Sequence, residues 1–142
     1  MFLKTFILSF FVLISTINGA GLIGRKQAVA AKGTFKCNGS PAQNVKVELY
    51  DIDRLDMDDF IADTTSDKYG KFEISGTHKE FTTIEPILHI YHVCEVFNPK
   101  CPRKFSKVIP ESYVKFGDTA DKVFDLGTID LSIPQEGEKK GC

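Results

Sequence analysis

The chain has 142 residues, 42% of them hydrophobic and 26% charged, with 18 Lys and Arg against 19 Asp and Glu. That near-balance excludes the strongly basic footprint of a nucleic-acid-binding domain. A chain of this length buries roughly two thirds of its unfolded surface and holds a single core without needing a metal or a staple.

Residues 1–20 read as a separate segment. Lys4 precedes an apolar run from Phe6 to Ile17, and the small residues Gly19 and Ala20 follow. That is the basic, apolar and cleavage-site order of a secretory signal. The run is short for a membrane span. Cleavage near Ala20 predicts a secreted, extracellular domain over residues 21–142, one unit more negative than the whole chain because Lys4 leaves with the signal.

Four cysteines follow: Cys37, Cys94, Cys101 and Cys142. In an exported chain they read as disulfides, and four cysteines allow three pairings. Six residues separate Cys94 from Cys101 and include Asn98-Pro99, which turns a chain back on itself. This favours a Cys94–Cys101 bridge and leaves Cys37 for Cys142. The C-x-x-C spacing of a structural zinc site is absent.

Along the chain, the odd positions from Val29 to Cys37 are apolar or small and the even ones polar or small, the period of a half-buried strand. Asn38-Gly39 is a turn signal and Pro41 reinforces the break. Asn38-Gly39-Ser40 is also an N-glycosylation triplet, which makes Asn38 a candidate acceptor. Val45, Val47 and Leu49 alternate with Lys46, Glu48 and Tyr50 to predict a second strand. The stretch Asp51 to Asp59 then places five carboxylates in nine residues. Such oxygen-rich loops attract calcium, but this one lacks the EF-hand glycine and terminal Glu and reads first as a solvated loop between strands, with calcium as the alternative.

From Phe60 to Ser75 two strand-like runs flank Asp67-Lys68-Tyr69-Gly70, which predicts a β-hairpin whose glycine takes a positive φ. Gly76 to Glu80 reads as a polar link, and Ile87 to Cys94 as another strand. His89 and His92 stand three apart on that strand, so they face opposite ways and cannot share a metal. His78 lies far from both in sequence.

Lys100, Arg103, Lys104 and Lys107 cluster on the next segment, with Phe97 and Phe105 between them. The group is a candidate contact for anionic lipid or for a receptor. Lysines on an exposed edge strand also discourage edge pairing. Near the C-terminus, Phe124 and Leu126 fall on even positions, whereas Ile129, Leu131 and Ile133 fall on odd ones, so a bulge or break is expected at Gly127. Gln135 to Cys142 reads as a charged tail. After the signal no helical stripe appears, and the turn-punctuated strands predict an all-β, Greek-key sandwich of about seven to eight strands.

The chemistry-bearing motifs are sparse. There is no G-x-S-x-G elbow, H-E-x-x-H pair or Gly-rich phosphate loop, and the cysteines are assigned to bridges. Neither enzymatic activity, a resident metal nor a cofactor is expected.

Several short motifs occur together in one order: Gly24 to Val29, Lys32 to Gly39, Val45 to Asp51, Asp67 to Phe72, Phe81 to Ile84, Ile90 to Cys94, Arg103-Lys104-Phe105 and Phe124 to Thr128. In this the chain resembles the secreted transthyretin-like proteins of nematodes over essentially all of residues 21–142. The resemblance implies a transthyretin-like (prealbumin-type) β-sandwich. In that family at least one member is described as bridging phosphatidylserine on dying cells to an engulfment receptor. The more distant hydroxyisourate hydrolases end in a Tyr-Arg-Gly-Ser motif, which the tail Gly137 to Cys142 does not share. The expected role is therefore a secreted, non-enzymatic adaptor for a cell-surface receptor or an anionic phospholipid. The alternatives are a carrier of a small hydrophobic ligand and, behind it, a hydroxyisourate-hydrolase-like enzyme.

Overall fold

The computed structural model describes residues 24–142. The secretory segment expected at residues 1–20 lies outside them. In chain order the strands are β1 (Arg25–Cys37), β2 (Ser40–Pro41), β3 (Lys46–Asp51), β4 (Asp59–Thr65), β5 (Lys71–Glu80), β6 (Pro86–His92), β7 (Arg103–Val108), β8 (Lys115–Phe116), β9 (Val123–Asp130) and β10 (Lys139–Lys140), with a 3₁₀ turn at Glu111–Tyr113 before β8. Seven of these strands have six or more residues, and they form the two layers of an all-β sandwich.

β1 is the spine of the first sheet. Along one edge it pairs antiparallel with β5, and along the other with β8 antiparallel and β9 parallel. The second sheet runs β10-β7-β6-β3-β4, every neighbour antiparallel. Alternation puts Val29, Ala31 and Phe35 of β1, Val47 and Leu49 of β3, Phe72 and Ile74 of β5, Leu88 and Ile90 of β6 and Phe105 of β7 into one core between the sheets. Each fully buried side chain of this kind contributes about 1.5–3 kcal/mol. That is why a period-2 apolar pattern fixes which face turns inward.

Two of the expected local features take the form read from the sequence. Asn38 and Gly39 have φ of 52° and 81°, the positive pair a two-residue hairpin needs, and Lys36 pairs with Pro41 across it. The carboxylate of Asp130 accepts the N–H groups of both turn residues at 3.1 and 2.9 Å. At Gly127, φ is 72° and the pairing of β9 with β1 slips between Lys32 and Thr34. The bulge lets Phe124, Leu126 and Ile129 all pack on the core despite their change of parity.

Other expectations are corrected. Phe60 to Ser75 is not a hairpin: β4 pairs with β3 and β5 with β1, so the chain crosses between sheets at this point. The turn itself is as expected, with the Gly70 N–H donating to the Asp67 carbonyl at 2.9 Å, but it joins layers instead of neighbours. Gly76 to Glu80 is the second half of β5 and pairs with Arg25 to Val29, so it is no link.

The disulfides are Cys37–Cys94 and Cys101–Cys142, not Cys94–Cys101 and Cys37–Cys142. The intervening segment does turn, with N–H to carbonyl bonds from Val96 to Val93 and from Cys101 to Asn98. It sends its two cysteines to different partners. Cys94 is buried just past β6 and meets the end of β1 in the other sheet, whereas Cys101 precedes β7, beside which the C-terminus runs as β10.

The charged tail is also structured. Lys139 and Lys140 pair with Lys104 and Arg103, and the Gly141 N–H donates to the Pro102 carbonyl at 2.7 Å. Among the described residues no helix is long and apolar enough to cross a membrane.

Candidate functional site

The basic cluster read from the sequence does not form one surface. β7 alternates, so Lys104 lies on its outer face while Arg103 and Lys107 share the side of buried Phe105. Arg103 is structural. Its Nε lies 2.5 Å from Glu138 Oε1, its guanidinium donates to Glu138 Oε2 at 3.0 Å, and it donates to the Cys94 carbonyl at 3.1 Å. His92 Nε2 stands 3.3 Å from the same Glu138 Oε1 but makes no hydrogen bond. Burial holds the His92 imidazole below its ordinary pKa, with the Arg103 charge adding to the effect. Burial pushes Glu138 up, but the bonds from Arg103 and the Gln135 N–H outweigh it and leave the carboxyl below the usual range. Lys100 sits in the loop beside Cys101, its N–H donating to the Asn98 side chain at 3.0 Å.

The fold substitutes a different basic surface. Lys46 of β3 pairs with Tyr91 of β6, Tyr91 with Lys104 of β7, and Lys104 with Lys139 of β10. Directly paired residues point to the same side of a sheet, so one transverse row reads Lys46-Tyr91-Lys104-Lys139 on the outer face. The ammonium groups of Lys46 and Lys104 lie 5.8 and 5.3 Å from the Tyr91 ring centroid, within cation–π range. Lys46 also pairs with Glu48 at 3.1 Å. Among the described residues Lys104 and Lys139 have no ion-pair partner, although like charges directly opposite one another destabilise a sheet. No sequence signal marks Lys46 or Lys139 as neighbours of Lys104, because pairing register joins them. Beside this row, His89 Nδ1 is 2.7 Å from Ser106 Oγ and its ring tilts against Tyr50. It stands on the face opposite His92, as its spacing requires.

A second constellation sits at the far end of the sandwich. Asp51 closes β3 and pairs directly with Asp59, which opens β4. From the other sheet, His78 and Glu80 reach the same place, two residues apart and therefore on one face of β5. His78 Nε2 lies 3.3 Å from Asp59 Oδ2, 3.3 Å from Glu80 Oε1 and 3.9 Å from Asp51 Oδ2. The side chain of Asp51 is only 6% exposed, and its burial raises the carboxyl pKa. The rest of the acidic loop behaves otherwise. Asp53, Asp56 and Asp58 each accept a backbone N–H, from Leu55, Met57 and Asp53 respectively, in the manner of turn-stabilising side chains. A cavity of about 400 Å³ adjoins, lined by Asp51, Arg54, Leu55, Glu80, Phe81 and neighbouring residues. Buried Gln27 holds its far wall: the side chain donates to the Thr82 carbonyl and accepts from the Ile84 N–H, both at 2.8 Å. Nothing in the sequence around Gln27 announces that role.

Of the remaining candidates, Asn38 is exposed at its turn. All four cysteines are consumed in disulfides.

Fold and surface together define a two-sheet, disulfide-clamped β-sandwich with a lysine–tyrosine row on one face and a mixed His/carboxylate cluster at one end. Residues 32–110 match the model of the transthyretin-like family. Over 122 residues the chain is 43% identical to transthyretin-like protein 5 of Caenorhabditis elegans, covering 85% of this chain and 88% of that one. It is 39% identical to transthyretin-like protein 2 of the same organism over 137 residues, covering 92% and 93%. Transthyretin-like protein 1 is 36% identical over 143 residues, covering 95% and 92%. The chain belongs to the transthyretin-like family.

Proposed function

We propose that this protein works outside the cell as a non-catalytic binding module that engages anionic surfaces, with phospholipid headgroups as the ligand chemistry. The supporting observation is the transverse row Lys46-Tyr91-Lys104-Lys139. Two of its lysines face each other without a counter-charge, an arrangement that costs stability alone and gains when an anion covers it. Tyr91 sets an amphipathic ring among them, suited to the headgroup boundary. The surface read from the sequence is thereby redrawn: Lys104 stays, Lys46 and Lys139 join it, Arg103 is occupied by Glu138, and Lys107 lies on the other side of its strand. The signal-like segment at residues 1–20 and the fully oxidised cysteines favour the extracellular setting.

Vesicle co-sedimentation tests the proposal. The protein is expected to bind phosphatidylcholine vesicles only when phosphatidylserine is added, and to release as salt rises. At about 1 kcal/mol per basic residue near a charged surface, the triple variant Lys46→Ser, Lys104→Ser, Lys139→Ser should bind roughly 100-fold more weakly. Lys107→Ser should change little. Failure of the native protein to bind, or a triple variant that binds as well as the native one, discards the row as the contact.

A further inference from the structure

We infer that Asp51, Asp59, His78 and Glu80 form a binding site for a divalent first-row transition cation, with zinc the best fit. Zinc takes imidazole nitrogen at about 2.0–2.1 Å and carboxylate oxygen at about 2.0–2.2 Å in tetrahedral geometry. Two such ligands then stand about 3.3–3.6 Å apart, by the edge of that tetrahedron. His78 Nε2 is 3.3, 3.3 and 3.9 Å from the three carboxylate oxygens, and all four ligand atoms fall within 4.8 Å of one another. The set has to contract from this spacing to close on an ion.

The buried member carries the argument beyond a chance grouping of acids. The side chain of Asp51 is 6% exposed; one oxygen accepts the Glu85 N–H at 2.8 Å, and the other, Oδ2, accepts no hydrogen bond among the described residues and points at His78. A carboxylate whose side chain is this buried, set beside two others, is costly unless a cation meets it. Among the described residues His78 is the sole basic group within ion-pair distance of Asp51, Asp59 or Glu80. Three carboxylates around one imidazole leave net negative charge, most of which a divalent ion offsets.

Ligand chemistry selects the ion class. An imidazole donor suits zinc and its transition-metal neighbours, whereas calcium wants six to eight oxygens at about 2.3–2.6 Å. His78 and Asp59 are 25% and 43% exposed, so the site has an entrance. The ligands come from both sheets, so a bound ion would tie them together at the end away from the disulfides.

Zinc titration of the secreted, chelator-stripped protein tests the inference, read by calorimetry, by thermal melting and by NMR of the histidine rings. One zinc per chain, a raised melting temperature and a His78 resonance that saturates at one equivalent are expected. His78→Gln and Asp59→Asn, both at partly exposed positions that leave the fold intact by circular dichroism, should weaken binding at least tenfold. Millimolar calcium should not displace the zinc. Absence of binding, binding unchanged in both variants, saturation at His89 instead of His78, or equal affinity for calcium overturns the site.

Discussion

A methyl group at position 70 would sit 2.1 Å from the Phe35 carbonyl oxygen, well inside any packed carbon–oxygen distance. Gly70 also has a φ of 78°, and its own carbonyl accepts the Phe35 N–H at 2.7 Å. The position therefore combines a backbone conformation that suits glycine with a close approach only glycine permits. Gly70→Ala should cost at least ~2 kcal/mol, read as a lower urea midpoint at unchanged slope. An alanine variant as stable as the native protein would mean that the crossing between sheets is looser than this contact implies. Asp130 is the contrasting case at the same scale. The Ser132 hydroxyl and N–H, with the N–H groups of Gly39 and Asn38, hold its carboxyl down to about 2, so one half-buried side chain pins both a hairpin and the end of β9.

At the scale of elements, the tail is the informative piece. β10, Glu138 and Cys142 all fasten residues 135–142 to the start of β7. In the loop-entropy model a bridge across the Cys101–Cys142 separation of 41 residues contributes about 4 kcal/mol. The double variant Cys101→Ser, Cys142→Ser should lose up to that amount and become sensitive to trypsin at Lys139 and Lys140, followed by mass spectrometry. If the tail stays resistant, the Arg103–Glu138 pair and the short strand hold it without sulfur. Only the presence of a disulfide at Cys142 was legible beforehand, because a two-residue strand among charged residues carries no periodicity. Alternation is a local property, and it revealed the inward faces of β1 and β3 and the displaced register at Gly127. Which strand lies beside which is not local. Hence the Asp67–Gly70 turn was readable while the sheets it joins were not, and four cysteines announced disulfides but not their partners. The same limit hid the candidate site: Asp51, Asp59, His78 and Glu80 converge only after both sheets have stacked, and the lysine row exists only in the register of four strands.

For the whole molecule, buried His92 and partly buried His89 set the response to acid. Burial lowers the pKa of His92 and of His89 below the usual 6.5, so the unfolded chain takes up protons there first. Stability should therefore be complete above pH 7 and fall as pH drops from about 6.5 through the lower native values. Buried Asp51 works in the opposite sense just above the ordinary carboxylate range, and Asp130 withdraws its contribution between about pH 4 and about 2. Urea midpoints measured from pH 8 to 5 should decline, and the decline should shrink in His89→Gln and His92→Gln. A flat profile over that range would remove the imidazoles from the account. The topology of β1 carries one more implication. Its residues 30–36 bond to residues 123–130, so the first strand to leave the ribosome waits for one of the last before its second edge is closed. Non-local closure of this kind is slow, and an open strand edge invites association with other chains. Until residues 123–130 have been made, residues 30–36 of β1 lack their partner on that edge.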